Sequence, residues 1–199
     1  MSRRRMSKWE QLYQEGNTHW DRGAPSPPLV RYIAEHPISG AVLIPGCGTG
    51  HDAAFLAAKG ADITGLDIAP TAVERAAANY PDLAERFVEG DLFDLPHTWN
   101  ERFDHVVEHT CFCAIPPTMR EAYASAVHRV LKPGGTLIGV WFINPDLDPG
   151  EEGPPFPSAP ADLDRIFGQH FDLVTDYTPD AAYPGREGRE RVRVWKRKA

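Results

Sequence analysis

Ala41-Val-Leu-Ile-Pro-Gly-Cys-Gly-Thr-Gly50 runs from four apolar residues into three glycines within five positions, and His51-Asp52 follow directly. A short apolar run without alternation predicts a strand covered on both faces. The glycines let the backbone turn sharply and let a ligand approach closely. The Ala-rich stretch 50–59 then reads as a helix, with Gly60 as its C-cap. Such a helix start offers free N–H groups and the positive end of a dipole, which suits an anionic group. By itself this is a weak signal, because a glycine-rich turn is often only a turn.

Outward from this point strand and helix alternate. Residues 61–67 predict a second strand and 70–79 a second helix, with Thr71-x-x-Glu74 as its capping box. Residues 86–89 form a weak third strand and 103–108 a fourth. The strongest helix spans 118–131. Thr118-x-x-Glu121 caps it, and Met119, Ala122, Tyr123, Ala126, Val127, Val130 and Leu131 share one face. Lys132-Pro-Gly-Gly135 stops it, and a fifth strand covers 136–142. A helix at 161–169 and strands at 171–177 and 189–195 complete the pattern. The fold class expected is α/β: one doubly wound, mostly parallel seven-stranded sheet. The last two strands lack a helix between them, so an antiparallel edge hairpin is expected there. The whole chain, 1–199, reads as one domain, with an N-terminal element and linker over 1–28 and the α/β core over 29–199. The proline-rich stretch 144–160 reads as a long surface loop, of the kind that is usually functional.

The acidic residues after the next strands sharpen the glycine signal. Asp67 closes the second strand, about 20 residues on, where a carboxylate can accept both ribose hydroxyls. Asp91 follows the third strand in Glu89-Gly-Asp-Leu92. Each alone reads as a solvated turn residue. Together, three features at successive strand ends point into the crevice where open α/β sheets bind ligands. A dinucleotide fingerprint needs G-x-G-x-x-G, but here the third glycine comes one residue early and His51 takes the remaining slot. A nucleoside carrying a carboxylate and no pyrophosphate fits better, which leaves a dinucleotide-dependent oxidoreductase as the weaker alternative.

Composition narrows the partners. The 199 residues are 42% hydrophobic and 25% charged, as in an ordinary globular domain. The net charge of −7 argues against a nucleic-acid binder, which needs surplus Lys and Arg. There is no apolar run of membrane-spanning length. Arg3-Arg-Arg5 precedes no apolar segment, so the start does not read as a secretory signal. Three cysteines, Cys47, Cys111 and Cys113, give no disulfide framework, and a reducing cytoplasm is expected.

The set Ile44-Pro-Gly-Cys-Gly-Thr-Gly50, Gly65-Leu-Asp67, Gly90-Asp91 and Leu131-Lys-Pro-Gly-Gly135 resembles the class I S-adenosylmethionine-dependent methyltransferases, whose fold is Rossmann-like. The flanks are similar to one branch, the thiopurine methyltransferase family and its thiol and halide methyltransferases. The residues carrying this are Trp9-Glu-x-x-Tyr13-x-x-Gly16-x-Thr-x-Trp20-Asp-x-Gly23, Pro45-Gly-Cys-Gly-x-Gly-His-Asp52, Phe112-Cys-Ala-Ile-x-Pro117-x-x-Arg120 and Gly153-Pro-Pro-Phe156. The basic end from Gly185 to Trp195 is similar too.

The resemblance implies an S-adenosylmethionine site. Trp9, Tyr13 and Trp20 would cover the cofactor from an N-terminal lid helix. Gly46 and Gly48 would meet its methionine part, Asp67 and Ile68 the ribose, and Asp91 and Leu92 the adenine. His109 would contact cofactor or acceptor. Halide-type members carry an aromatic residue followed by two apolar ones where this chain has Glu108-His-Thr-Cys111, which weighs against halide as the preferred acceptor. The implied reaction is methyl transfer to a small soft nucleophile, a thiol first. A halide or a small-molecule amine or hydroxyl is the alternative. His109 is the first candidate for a base that orients or deprotonates the acceptor, ahead of Glu108 and His19. A monomer or weak homodimer acting on a small molecule is expected.

Two sharper readings carry less weight. His109-x-Cys111-x-Cys113 would share one face if all three lay in a strand, but structural zinc sites want four ligands in paired motifs, so no metal is expected. The basic C-terminal run, from Arg186 to Lys198, alternates with Val192, Val194 and Trp195, like an edge strand with a charge-blunted face.

Overall fold

A computed structural model describes residues 7–145, 147 and 150–198. Arg3 to Arg5, used above, and residues 146, 148 and 149 of the proline-rich stretch lie outside the described residues. Helices α1 (Lys8–Gln14) and α2 (Pro27–Glu35) precede the alternating core. The core runs β1 (Ala41–Pro45), α3 (His51–Ala58), β2 (Asp62–Asp67), α4 (Pro70–Asn79), β3 (Phe87–Glu89), β4 (Phe103–His109), α5 (Arg120–Val130), β5 (Leu131–Phe142), α6 (Pro160–Phe167), β6 (Phe171–Tyr177) and β7 (Glu190–Arg197). The sheet order is β3-β2-β1-β4-β5-β7-β6. The first five strands are parallel, and β7 pairs antiparallel with both β5 and β6. Chain order reverses between β1 and β4, so the crevice beyond their carboxyl ends is the place where such sheets bind ligands.

Period-two alternation places the core on both faces. Leu43, Val106, Leu137 and Trp195 face one layer, with Tyr123 and Val127 of α5 and Leu163 and Phe167 of α6. Val42, Ile44, Ile63, Val107, Ile138 and Val194 face the other, with Leu29 and Ile33 of α2 and Leu56 of α3. The apolar run Val42–Ile44 is therefore fully buried, as a two-sided parallel strand must be.

Several local expectations are corrected. Helix α2 was not read from the sequence; Pro27 and Pro28 start it, and its face buries Leu29, Tyr32 and Ile33. Thr71 does not cap α4. The N-cap is Ala69, and the Thr71 amide and hydroxyl instead donate to Glu10 of α1, at 3.0 and 2.7 Å. Thr118 does not cap α5 either, since that helix begins at Arg120 after a short 3-10 turn. On α5 it is Ala124, not Ala122, that is buried. β7 is not an edge strand. It is wedged between β5 and β6, and its Arg193, 2% exposed, is paired with Asp164 and Asp176.

Candidate active site

One cavity of about 700 Å³ opens at the carboxyl ends of the central strands. The glycine loop shapes its floor. Gly46, Gly48 and Gly50 all adopt positive φ, at +60°, +55° and +90°. At Gly46 a side chain would put its Cβ 2.9 Å from the Cβ of Cys111, and at Gly48 3.0 Å from the Tyr13 hydroxyl. Glycine here is thus dictated by backbone conformation and by close neighbours. The Cys47 amide donates to the Leu66 carbonyl at 3.0 Å, which ties the loop to the end of β2.

Asp67 stands at that end, 7% exposed. Its two oxygens accept the Gly48 amide and the Ala69 amide, each at 2.9 Å. Burial raises its pKa above the ordinary value, and the amide bonds counter this only in part. Ile68 beside it is 41% exposed and also lines the cavity. Asp91 accepts the Phe93 amide at 2.9 Å and starts the short turn that presents Leu92 to the same cavity.

The N-terminal segment roofs this end. Trp20 meets Trp9 and Tyr13 edge-on, at centroid distances of 5.4 and 5.7 Å, and its indole N–H donates to the Tyr13 hydroxyl at 3.3 Å. Tyr13 is buried against Ala69 and Ala72. Two carboxylates latch the roof to the body. Glu10 holds Thr71, and Asp21 accepts the Thr49 hydroxyl at 2.7 Å and lies 3.3 Å from His51 Nε2. From the sequence, Thr71 reads as a cap and His51 takes the glycine-loop slot, while Glu10 and Asp21 have no such role. Trp9, Tyr13, Trp20, Gly46, Gly48, Asp67, Ile68, Asp91, Leu92 and His109 all line the one cavity.

The other end is framed by His109, Asp52, Phe142, Tyr183, Arg186 and Pro155. His109 is the last residue of β4, and its Nδ1 lies 2.7 Å from Asp52 Oδ2. The second Asp52 oxygen accepts the Ser26 amide at 2.7 Å. The Tyr183 ring stacks on the imidazole at 6.1 Å. Arg186 lies over Phe142, 4.8 Å from the ring centroid, and donates to Glu190 at 3.1 Å. Burial would lower the His109 pKa, but the charge and hydrogen bond of Asp52 outweigh it and raise it above the ordinary value. Asp52 is pushed up by burial and, more strongly, held down by His109 and the Ser26 amide, so it stays ionised. The only sequence signal for Asp52 was its place in the Gly50-His-Asp run. Tyr183 gave none, and Arg186 read only as part of a basic run.

Glu108 is corrected as a candidate base. It is 1% exposed and faces away from the cavity. One oxygen accepts the Cys111 and Phe112 amides, at 3.0 and 2.8 Å, and the other accepts the Tyr123 hydroxyl. The carboxylate thus shapes the turn after β4. His19 stacks edge-on against Trp20 in the roof. β4 ends at His109, so Cys111 and Cys113 lie in the following turn and the alternation that would align a metal triad does not apply. Burial pushes the Cys47 and Cys111 thiols well up and Cys113 to about 12, which keeps them protonated where they line the cavity. Arg120 fixes the far part of the 144–160 stretch. Its guanidinium donates to the Phe156 and Pro157 carbonyls, each at 3.1 Å.

This cradle fits an adenosyl amino acid. The glycine loop lines the cavity with bare backbone, and Asp67 sets a buried carboxylate beside it. The chain matches the thiopurine S-methyltransferase family over residues 4–198. It belongs to that family. It is accordingly an S-adenosylmethionine-dependent methyltransferase. Among curated relatives, it is 32% identical to probable thiol methyltransferase 2 of Arabidopsis thaliana, over 99% of this chain and 88% of that protein. It is 34% identical to thiocyanate methyltransferase 1 of Brassica oleracea, over 95% and 84%. Among solved structures, a Burkholderia thailandensis 1,6-didemethyltoxoflavin-N1-methyltransferase with bound S-adenosylhomocysteine superposes with a TM-score of 0.74 at 20% identity, over 96% of this chain and 86% of that one. This family member thus carries the class I methyltransferase fold that the motif resemblance implied.

Proposed function

We propose that this family member transfers the methyl group of S-adenosylmethionine to the sulfur of a small thiol. The observation that carries the reading is the continuity of the cavity. Asp67 and Asp91 line the same cavity as His109, Phe142, Cys113, Ile115 and Tyr183. A donor at one end and a small acceptor at the other therefore share one enclosure. The similarity to thiol and thiocyanate methyltransferases supports sulfur as the acceptor atom.

When bound, S-adenosylmethionine supplies an electrophilic methyl on a sulfonium. Asp67, the glycine loop, Asp91 and Leu92 would hold it. The protein contributes alignment, since in-line displacement depends on near-attack geometry. The indoles of Trp9 and Trp20 exclude water and offer aromatic faces to the cationic donor, worth about 0.5–2 kcal/mol. Exclusion of water matters because a hydrated sulfur anion is a poor nucleophile. Ile68, part exposed at the rim, would flank the ribose. A small-molecule partner rather than nucleic acid or membrane, a monomer or weak homodimer, and a cytoplasmic setting complete the proposal. Among the described residues no helix is long and apolar enough to cross a membrane.

The test is turnover on a panel of thiols, thiocyanate, halides, amines and hydroxyls, with calorimetry of S-adenosylhomocysteine alongside. Sulfur acceptors should dominate. Binding of the nucleoside with methylation confined to amines or hydroxyls rejects the thiol reading and leaves the methyltransferase standing.

A further inference from the structure

We propose that His109 Nε2 is the base that takes the proton of a neutral thiol, that Asp52 is its positioning residue, and that the site thereby favours acceptors arriving as S–H over preformed anions such as thiocyanate or halide. This rests on the S-methylation reading and narrows it.

The geometry fixes the tautomer. An ionised carboxylate can only accept, so the 2.7 Å contact to Asp52 places one proton on His109 Nδ1; above the imidazolium pKa, Nε2 then carries the lone pair. That Nε2 is buried and has no hydrogen-bond partner among the described residues, while its ring lies on the cavity wall. A buried acceptor with no donor is costly, and a thiol S–H would satisfy it once a small turn of the ring brings Nε2, now covered, to the chamber surface. The Tyr183 ring holds the imidazole plane from one side, and the Ser26 amide holds Asp52 from behind.

The charges around the imidazole set the specificity. Asp52 reaches it from α3 and Glu190 from β7, while Glu108 lies beside it on β4. His51 of α3 stands near Asp52. The opposing cation is Arg186, from the segment before β7, and it is engaged with Glu190. With the imidazole neutral, Asp52 and Glu190 outnumber the one guanidinium, so a preformed anion enters against negative charge, whereas a neutral thiol does not. Once the thiol is in place, its S–H bond breaks, the proton forms an N–H bond at Nε2, and the sulfur keeps the electron pair. The resulting imidazolium sits beside Asp52, and no electron changes hands. The raised His109 pKa makes the imidazole a stronger base, active above that pKa, which is the acidic limb tested below.

The first readout needs no turnover. A neutral alkyl thiol is titrated into wild-type protein loaded with S-adenosylhomocysteine, and thiolate absorbance in the ultraviolet is followed against pH. Bound thiol should ionise at lower pH than free thiol, and His109→Gln should abolish that shift. The second readout is the pH profile of kcat/KM. With the alkyl thiol it should rise along an acidic limb, and Asp52→Asn should move that limb to lower pH. The ratio of alkyl-thiol to thiocyanate kcat/KM should fall on the order of 10²–10⁴-fold in His109→Gln. Equal losses on both acceptors, or an Asp52→Asn limb that does not move, overturns the base. Should the variants misfold, a wild-type thiol that ionises no earlier than in free solution overturns it alone. A wild type that methylates amines but no sulfur acceptor overturns the S-methylation reading, and this proposal with it.

Discussion

Asp67 and Gly48 are joined across the head of the crevice by a 2.9 Å hydrogen bond from the glycine amide, so the carboxylate and the glycine loop hold each other in place. The Ala69 amide occupies the other oxygen. Hydrogen bonds to a charged group contribute about 1.5–3 kcal/mol. Asp67→Asn forces an amide N–H against one of these donors. Its affinity for S-adenosylhomocysteine should fall roughly 10- to 150-fold by calorimetry.

The roof should report on the donor and not on the acceptor. Trp20 makes three edge-on ring contacts, with Trp9, Tyr13 and His19, and one hydrogen bond within it. Each aromatic pair contributes about 0.5–1.5 kcal/mol beyond burial. Trp20→Ala should raise the Kd for S-adenosylhomocysteine several-fold and remove most of the tryptophan fluorescence change on binding. A loss confined to acceptor KM would place the roof elsewhere.

Two glycines with positive φ make a matched pair. Gly46 has φ +60° with Cys111 in the way, whereas Gly60 has φ +93° and nothing within 4 Å of an added Cβ. Gly60→Ala should cost about 1–2 kcal/mol of backbone strain and leave cofactor binding intact. Gly46→Ala should cost more and abolish binding, as judged by thermal melts with and without S-adenosylhomocysteine.

Arg120 acts on the acceptor side. It is buried, lies 4.7 Å over the Phe112 ring and pins two carbonyls of the 144–160 stretch. Lysine cannot reproduce the planar fork. Arg120→Lys should raise acceptor KM about 10-fold with cofactor Kd nearly unchanged, consistent with the loss of roughly 1–2 kcal/mol of charged hydrogen bonding.

The His109–Asp52 pair also makes stability depend on pH. The folded His109 pKa lies above its reference of 6.5, so its contribution is full below that value and is lost as pH rises through the folded pKa. Asp52 lies below its reference of 3.8, so its contribution is full above that value and is lost as pH falls through the folded pKa. The pair therefore stabilises most between these references. Asp52→Asn should flatten the decline of Tm above neutral pH, with a change of about 2–4 °C per kcal/mol removed.

The alternation of strands and helices was legible because each element carries its own periodicity and terminators. The glycine loop, Asp67 and Asp91 were legible because local spacing places them at successive strand ends. Other features depend on distant partners. The Asp52–His109 bond joins residues 57 apart, and Glu10 reaches Thr71 across 61. No local pattern encodes those distances. The place of β7 was misread for a related reason. Its arginines look solvated in isolation, but Arg193 is buried because Asp164 and Asp176 meet it there. Glu108 was misjudged because the turn that consumes its carboxylate is not visible as a spacing.

The wedging of β7 between β5 and β6 has a temporal consequence. β6 is made before β7 but has no other neighbour in the sheet. During synthesis, the nucleoside end of the crevice can be assembled from the first five strands, while Arg186 and Glu190 reach the opposite wall only when the final hairpin docks. In chain order, the residues of the donor end therefore precede those of the acceptor wall, and the chamber takes shape from both the early and the late parts of the fold.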